Sequence, residues 1–310
     1  MSRSAWLRSA RRRTATALAA TSAAAVAALP EGLALPLGAA LGRTAARCLR
    51  RRGREALSNL RLVFPERSEP ERAAIWRSSC AELGRCAIEW ARLPGLSTEA
   101  LRERVEVVGL EHLSKAAEHG RGALVITAHY GNFEYIPAVV RANLPGVGVS
   151  VVGRTMPTPG MQDMIERRRV RGGGAVIPQD AREILRALGE GALIGILIDH
   201  YARPRRGGIL VPFLGIPAWT TTGPALLARR ARAPVIPIHI HRMRDGWHRI
   251  NVEPALELPQ TSDREQDVVA ATVRMNEVVG RWIREDPVPW TWSHRRFRHS
   301  PAVELHAPTD

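Results

Sequence analysis

A chain of 310 residues with 45% apolar content can form one large α/β unit, since about 200 to 250 residues often fold as a single domain. Its formal charge of +15, from 45 basic and 30 acidic side chains, points to phosphates or an anionic membrane surface. The basic residues are nearly all arginine and occur in almost every segment, with only three Tyr and four Phe to stack on bases, which argues against a nucleic-acid binder.

In chain order, Arg3, Arg8 and Arg11 to Arg13 precede the run TATALAATSAAAVAALP, and Arg43, Arg47 and Arg50 to Arg52 follow LALPLGAAL. The uncharged run is alanine-dominated and falls at the short, weakly apolar edge of what spans a bilayer core of about 30 Å. It lacks a clean cleavage site followed by a polar mature start. Residues 1–50 therefore read as a membrane-associating segment, lying on or weakly anchored in the cytoplasmic face. Residues 51–118 read as a helical region, with Ser68 as a cap before SEPERAAIWRSSCAELGRCAIEWARL and Ile75, Leu83, Ile88 and Leu93 at helical spacing. Cys48, Cys80 and Cys86 match neither a CxxC pair nor a zinc knuckle and read as inert thiols.

From Val105 the pattern changes. VEVVG, GALVITA, VGVSVVG, GAVIPQ, ALIGILID, APVIPIHIHR and WHRINVEP read as strands, alternating with helical stretches near 132–143, 159–171, 180–189, 221–232 and 266–285. Such alternation predicts an α/β core over residues 119–300, a largely parallel mixed β-sheet flanked by helices, with a polar tail at 301–310. Ligands of such sheets sit beyond the carboxyl ends of the strands. Three polar residues fall there: His129, Arg154 and Asp199.

His129 and Glu134 belong to ITAHYGNFE. On a continuous helix a five-residue step turns a side chain by about 500°, so the two would diverge. Gly131 and Asn132 supply a bend, with Asn132 as helix cap and Glu134 in the first turn beyond it. A carboxylate on one ring nitrogen fixes the tautomer and leaves the other nitrogen as a base suited to deprotonating an alcohol. Arg154 can stabilise an oxyanion or hold a phosphate. Asp199 can hold an acceptor amide or hydroxyl, or pair with an arginine. Thr220, Thr221 and Thr222 precede a helix and read as caps or phosphate ligands.

HYGNFE resembles the HX4D/E motif of glycerolipid acyltransferases. Its surroundings resemble the branch holding the late lauroyl and myristoyl acyltransferases of lipid A biosynthesis. The segments that carry the likeness, in order, are REALSNLRLVFPE, VEVVGLEHL, GRGALVITAHYGNFE, VVGRTMPTPGMQDMIERRRVRGG, LIDHYARPRRGGILVPFLGIPAWTTTGPALLARR and WTWSHRRFR, over roughly residues 30 to 298. Phe133 stands where that family commonly has tryptophan, and His200 where glutamine is frequent. The resemblance implies a glycerolipid-acyltransferase-like fold at the cytoplasmic face of the inner membrane, without a cofactor. It further implies transfer of a fatty acyl chain from acyl carrier protein or acyl-CoA to a hydroxyl of a lipid A precursor. His129 would be the base, oriented by Glu134, with Arg154 on the oxyanion; Asn132, Arg169 and Asp199 would bind substrate. GxSxG is absent and no serine or cysteine nucleophile adjoins His129, so direct transfer without an acyl-enzyme is expected.

Three other readings stand beside this one. A phosphatidylinositol mannoside acyltransferase would share the His-acid motif, although NLRLVFPE and WTWSHRRFR look closer to the lipid A enzymes. His239 and His241 share a strand face and with His129, Asp199 and His200 would make a metallohydrolase site, without an HxHxD or HExxH motif to support it. A noncatalytic membrane-surface protein would explain the arginines but not the motif series.

Overall fold

The computed structural model describes residues 29–118, 120, 122–153 and 175–304. Its strands are β1 (Val105–Val108), β2 (Ala123–Thr127), β3 (Val149–Gly153), β4 (Ala175–Pro178), β5 (Leu193–Leu197), β6 (Gly208–Phe213), β7 (Ile216–Thr221), β8 (Val235–Arg242) and β9 (His248–Val252). Seven of them form one sheet in the order β1-β9-β8-β2-β5-β3-β4. Pairing is parallel except between β8 and β9, which meet antiparallel across the turn at Gly246. All five residues of β2, ALVIT, are buried, as expected for a central parallel strand covered on both faces. These seven strands are the runs expected from the sequence.

The helices are α1 (Glu31–Cys48), α2 (Arg50–Val63), α3 (Glu69–Arg92), α4 (Thr98–Arg104), α5 (Leu110–Glu118), α6 (Ile136–Asn143), α7 (Ala181–Gly189), α8 (Gly223–Ala231), α9 (Arg264–Glu285) and the short α10 (Pro301–Glu304). Ser68 caps α3 as expected, in a reciprocal box with Glu71. The expected helix over 159–171 lies outside the described residues.

One element escaped the sequence reading. β6 and β7 form a separate hairpin closed by Leu214 and Gly215, both at positive φ, as a two-residue turn requires. Pro212 and Pro217 face each other in it, and proline inside a run argues against a central strand. The hairpin lies against α9, where Asn276 donates to Pro212 O at 2.8 Å.

The first 28 residues of the expected membrane-associating segment lie outside the described residues. From Glu31 the segment is a helix packed on α3 at backbone contact: a Cβ on Gly42 would lie 2.0 Å from Cys80 O, and one on Gly84 2.0 Å from Gly38 O. The opposite face of α1 exposes Leu33, Leu37 and Leu41, one helical turn apart. No helix among the described residues is long and apolar enough to cross a membrane.

Candidate active site

In the register of β2 with β5, Thr127 lies opposite Leu197. His129 and Asp199 each follow two residues later, so neighbouring parallel strands deliver both side chains to one point beyond their carboxyl ends. His129 Nδ1 lies 2.9 Å from Asp199 Oδ1, and the His129 backbone N–H donates to Oδ2 at 3.1 Å. Asp199 is buried, whereas the His129 side chain is 25% exposed. Burial alone would raise the Asp199 carboxyl. The adjoining His129, the His200 ring and the Trp290 indole N–H at 2.9 Å outweigh it and hold the group below the usual carboxylate range. An ionised carboxylate only accepts, so Nδ1 carries the hydrogen and Nε2 keeps its lone pair.

Asp199, expected to hold an acceptor group or to pair with an arginine, holds the histidine through both carboxylate oxygens. The role given to Glu134, fixing the His129 tautomer, is met at Nδ1 by Asp199 instead. Glu134 does lie in the first turn beyond the bend, within the 3₁₀ turn Phe133–Tyr135 that leads into α6. Gly131 makes the bend at φ 57°, where a Cβ would fall 2.1 Å from Ile240 O; only glycine fits.

Asn132 occupies the cap position without a side-chain cap bond. Its amide donates instead to Glu89 Oε2 at 2.8 Å and is buried, so it braces the loop against α3. Glu89 is the hub of a closed network, taking both guanidinium ends of Arg242 at 2.6 and 2.8 Å, with His248 Nε2 at 3.1 Å. Burial would raise the Glu89 carboxyl, but His248 and Arg242 bring it down to about 2.

The segment Trp290 to Arg296 closes the site from behind. Thr291 donates to His129 O through both its backbone N–H and its hydroxyl, each at 3.2 Å, and Gly131 N–H donates to Pro289 O at 3.0 Å. Asn59 of α2 holds the carbonyls of Trp292 and His294 at 2.8 and 2.7 Å. Arg296 is fully buried, bonded to Trp219 O and Thr220 Oγ1 and set over the Phe213 ring at 4.3 Å. Thr220 thus serves Arg296, not a helix cap. Thr222 occupies the cap position of α8 without a side-chain cap bond and donates to Gly207 O, while Thr221 Oγ1 accepts from Gly223 N–H.

A narrow apolar pocket opens beside Glu134, between the sheet and α6, lined by residues such as Val125, Phe133, Val140, Val151 and Leu197.

Arg154 and Arg169 lie outside the described residues. Among those described, His129, Asp199 and His200 bring ligand atoms within 4.8 Å of one another. The rings of His129 and His200 stack 4.0 Å apart at 1° between planes, so their in-plane lone pairs run parallel and cannot converge on one ion at about 2.0 Å. Both Asp199 oxygens already accept hydrogen bonds. The expected partners His239 and His241 are instead engaged by Asn251, at 3.2 and 3.4 Å, and do not join the cluster. The residues do not fit the metallohydrolase reading.

Sequence reasoning missed Trp290, Thr291 and His294 as site residues; WTWSHRRFR was marked by resemblance, but nothing in its spacing announces contact with His129. Comparison with known proteins agrees with the geometry. A family model described as bacterial lipid A biosynthesis acyltransferase matches residues 2–299. The chain is 29% identical over 276 residues to the lipid A biosynthesis lauroyltransferase of Escherichia coli K12, covering 88% of each chain. It is 27% identical over 289 residues to the palmitoleoyltransferase of the same organism, covering 89% of this chain and 88% of the relative. Identity to the phosphatidylinositol mannoside acyltransferase of Mycolicibacterium smegmatis is 29% over 272 residues, 86% of this chain and 85% of the relative. The chain therefore belongs to the bacterial lipid A biosynthesis acyltransferase family.

Proposed function

We propose that the protein transfers a fatty acyl chain from an acyl carrier protein or acyl-CoA thioester to a hydroxyl of a lipid A precursor, with His129 as general base. The observation that carries this reading is the His129–Asp199 pair at 2.9 Å, buried on its acid side and open on its base side. His129 Nε2 takes the hydroxyl proton while the alkoxide oxygen bonds to the thioester carbonyl carbon. The tetrahedral oxyanion collapses, the C–S bond breaks, and the leaving thiolate takes the proton back from the imidazolium. Asp199 fixes the tautomer and balances the imidazolium charge. Glu134 aligns the acceptor hydroxyl, and Arg154 meets the oxyanion, a role worth about 3 to 4 kcal/mol for a single donor. Arg169 holds an anionic headgroup.

The apolar pocket takes the start of the acyl chain. The exposed leucines of α1, with Arg43, Arg47, Arg50 and Arg51 beside them, suit the cytoplasmic face of the inner membrane.

A second acceptor is favoured by one observation. The mannoside acyltransferase relative matches at the same identity as the lauroyltransferase, and the chemistry at His129 is indifferent to which sugar carries the hydroxyl. The deciding experiment offers purified full-length protein each donor with each acceptor and weighs the product by mass spectrometry. Acylation of the lipid A precursor is expected; acylation of the mannoside alone would transfer the assignment, and turnover of neither would remove it.

A further inference from the structure

His129 is the outer ring of a stack of three imidazoles. His200 lies over it at 4.0 Å and 1° between planes, and His294 lies over His200 at 3.9 Å and 18°. Three independent pieces of chain supply the rings: the loop after β2, the loop after β5, and the C-terminal segment. The rear ring is fixed in state as well as in place. Tyr201 N–H donates to His294 Nε2 at 3.1 Å, so that nitrogen keeps its lone pair and the ring stays neutral. Burial pushes His294 down to about 4; Asp199 opposes the shift, while His129, Arg296 and Arg52 add to it. Charged groups acting at the stack include Asp199 beside His129 and His200, and Arg52 and Arg296 near His294.

Face-to-face rings share no hydrogen bond, so the stack is no proton wire. What a neutral ring face offers is attraction for a cation lying over it. In this chain the cation forms at a definite moment, when His129 takes the acceptor proton. Resting on the general-base reading above, we propose that His200 is a positioning residue for His129: held from behind by His294, it fixes the plane of the His129 ring and stacks its π face on the imidazolium as that forms. The proton itself stays on His129 Nε2, and His200 exchanges nothing with substrate.

The test compares pH–rate profiles of the full-length wild type, His200→Gln and His200→Phe in mixed micelles, with thermal melts to confirm folding. Losing the π face makes His129 a weaker base, and the acid limb of a base-dependent rate follows the pKa of that base downward. His200→Gln should therefore lose about ten-fold in kcat, KM should change little, and the acid limb should move to lower pH. His200→Phe keeps a face without a titrating nitrogen and should recover most of the rate and the limb. Wild-type rate and limb in the Gln variant would overturn the proposal. So would equal losses in both variants with an unmoved limb, which mark packing alone. A separate control keeps the two readings apart: full activity in His129→Ala would remove the general base, whereas an inactive His129→Ala with a normal His200→Gln would remove only the stack.

Discussion

Asp199–His129 and Glu89–His248 are two carboxylate–imidazole pairs at the same end of the sheet, at 2.9 and 3.1 Å. Both carboxylates are buried, and both are held low by their neighbours against the pull of burial. They differ in what surrounds the imidazole. His248 is 4% exposed, and Arg242 neutralises its carboxylate with two hydrogen bonds. His129 is 25% exposed, and Asp199 is completed by an uncharged indole. The pair that an arginine closes is a brace, and the pair with the more exposed imidazole is the one proposed to act as a base.

Changing each carboxylate to its amide should separate the two kinds of pair. Asp199→Asn permits the wrong tautomer of His129 with little change of shape, and should lower turnover by about 10³- to 10⁴-fold while leaving the thermal midpoint nearly intact. A large loss of stability with modest loss of rate would reverse the comparison. Glu89→Gln should do the opposite, leaving Arg242 uncompensated and destabilising the fold by about 3 to 5 kcal/mol. Denaturant melts read this directly.

The Glu89 effect carries a pH signature. Its folded pKa is depressed from 4.5 to about 2, so its stabilisation is complete above the unfolded value and disappears as pH falls from about 4.5 toward 2. The gap in stability between wild type and Glu89→Gln should therefore narrow in that window. A gap constant from pH 7 to pH 2 would show that the network does not depend on the ionised carboxylate.

Smaller effects should sharpen the active half of the comparison. Trp290→Phe removes one hydrogen bond to Asp199 and should cost about ten-fold in turnover, on the scale of about 1.5 kcal/mol for a bond to a charged group; an unchanged rate would make the indole a packing element only. Gly195 lines the apolar pocket proposed to take the acyl chain, where a Cβ would sit 3.1 Å from Val151 Cγ1. Gly195→Ala should shift the preferred donor toward chains shorter by about two carbons, since each buried methylene contributes about 0.8 kcal/mol. A panel of donors would expose a pocket placed elsewhere by showing no shift.

Much of the architecture was legible because local pattern and global fold agree. The apolar runs of β2 and β5 read as strands, Gly131 read as a bend, and Ser68 read as a helix cap. His129 was legible as a strand-end residue in a glycine turn. Its partner was not. Asp199 lies 70 positions away, and only the register of two parallel strands shows that each residue stands two places beyond its paired end. Asn132 could be read as a cap from its type and place, but Glu89, 43 positions earlier, competes for the same amide and takes it. Thr291, 162 positions from His129, follows a chain return that no periodicity encodes. The hairpin after β5 was concealed by prolines that suit an isolated ribbon and disqualify a central strand.

The most direct test of the central claim is acyl transfer by purified, folded His129→Ala, followed by mass spectrometry of the lipid acceptor. A loss of about 100-fold or more is predicted from removal of the general base, with the melting behaviour of the wild type retained. Product formation at the wild-type rate would contradict the account.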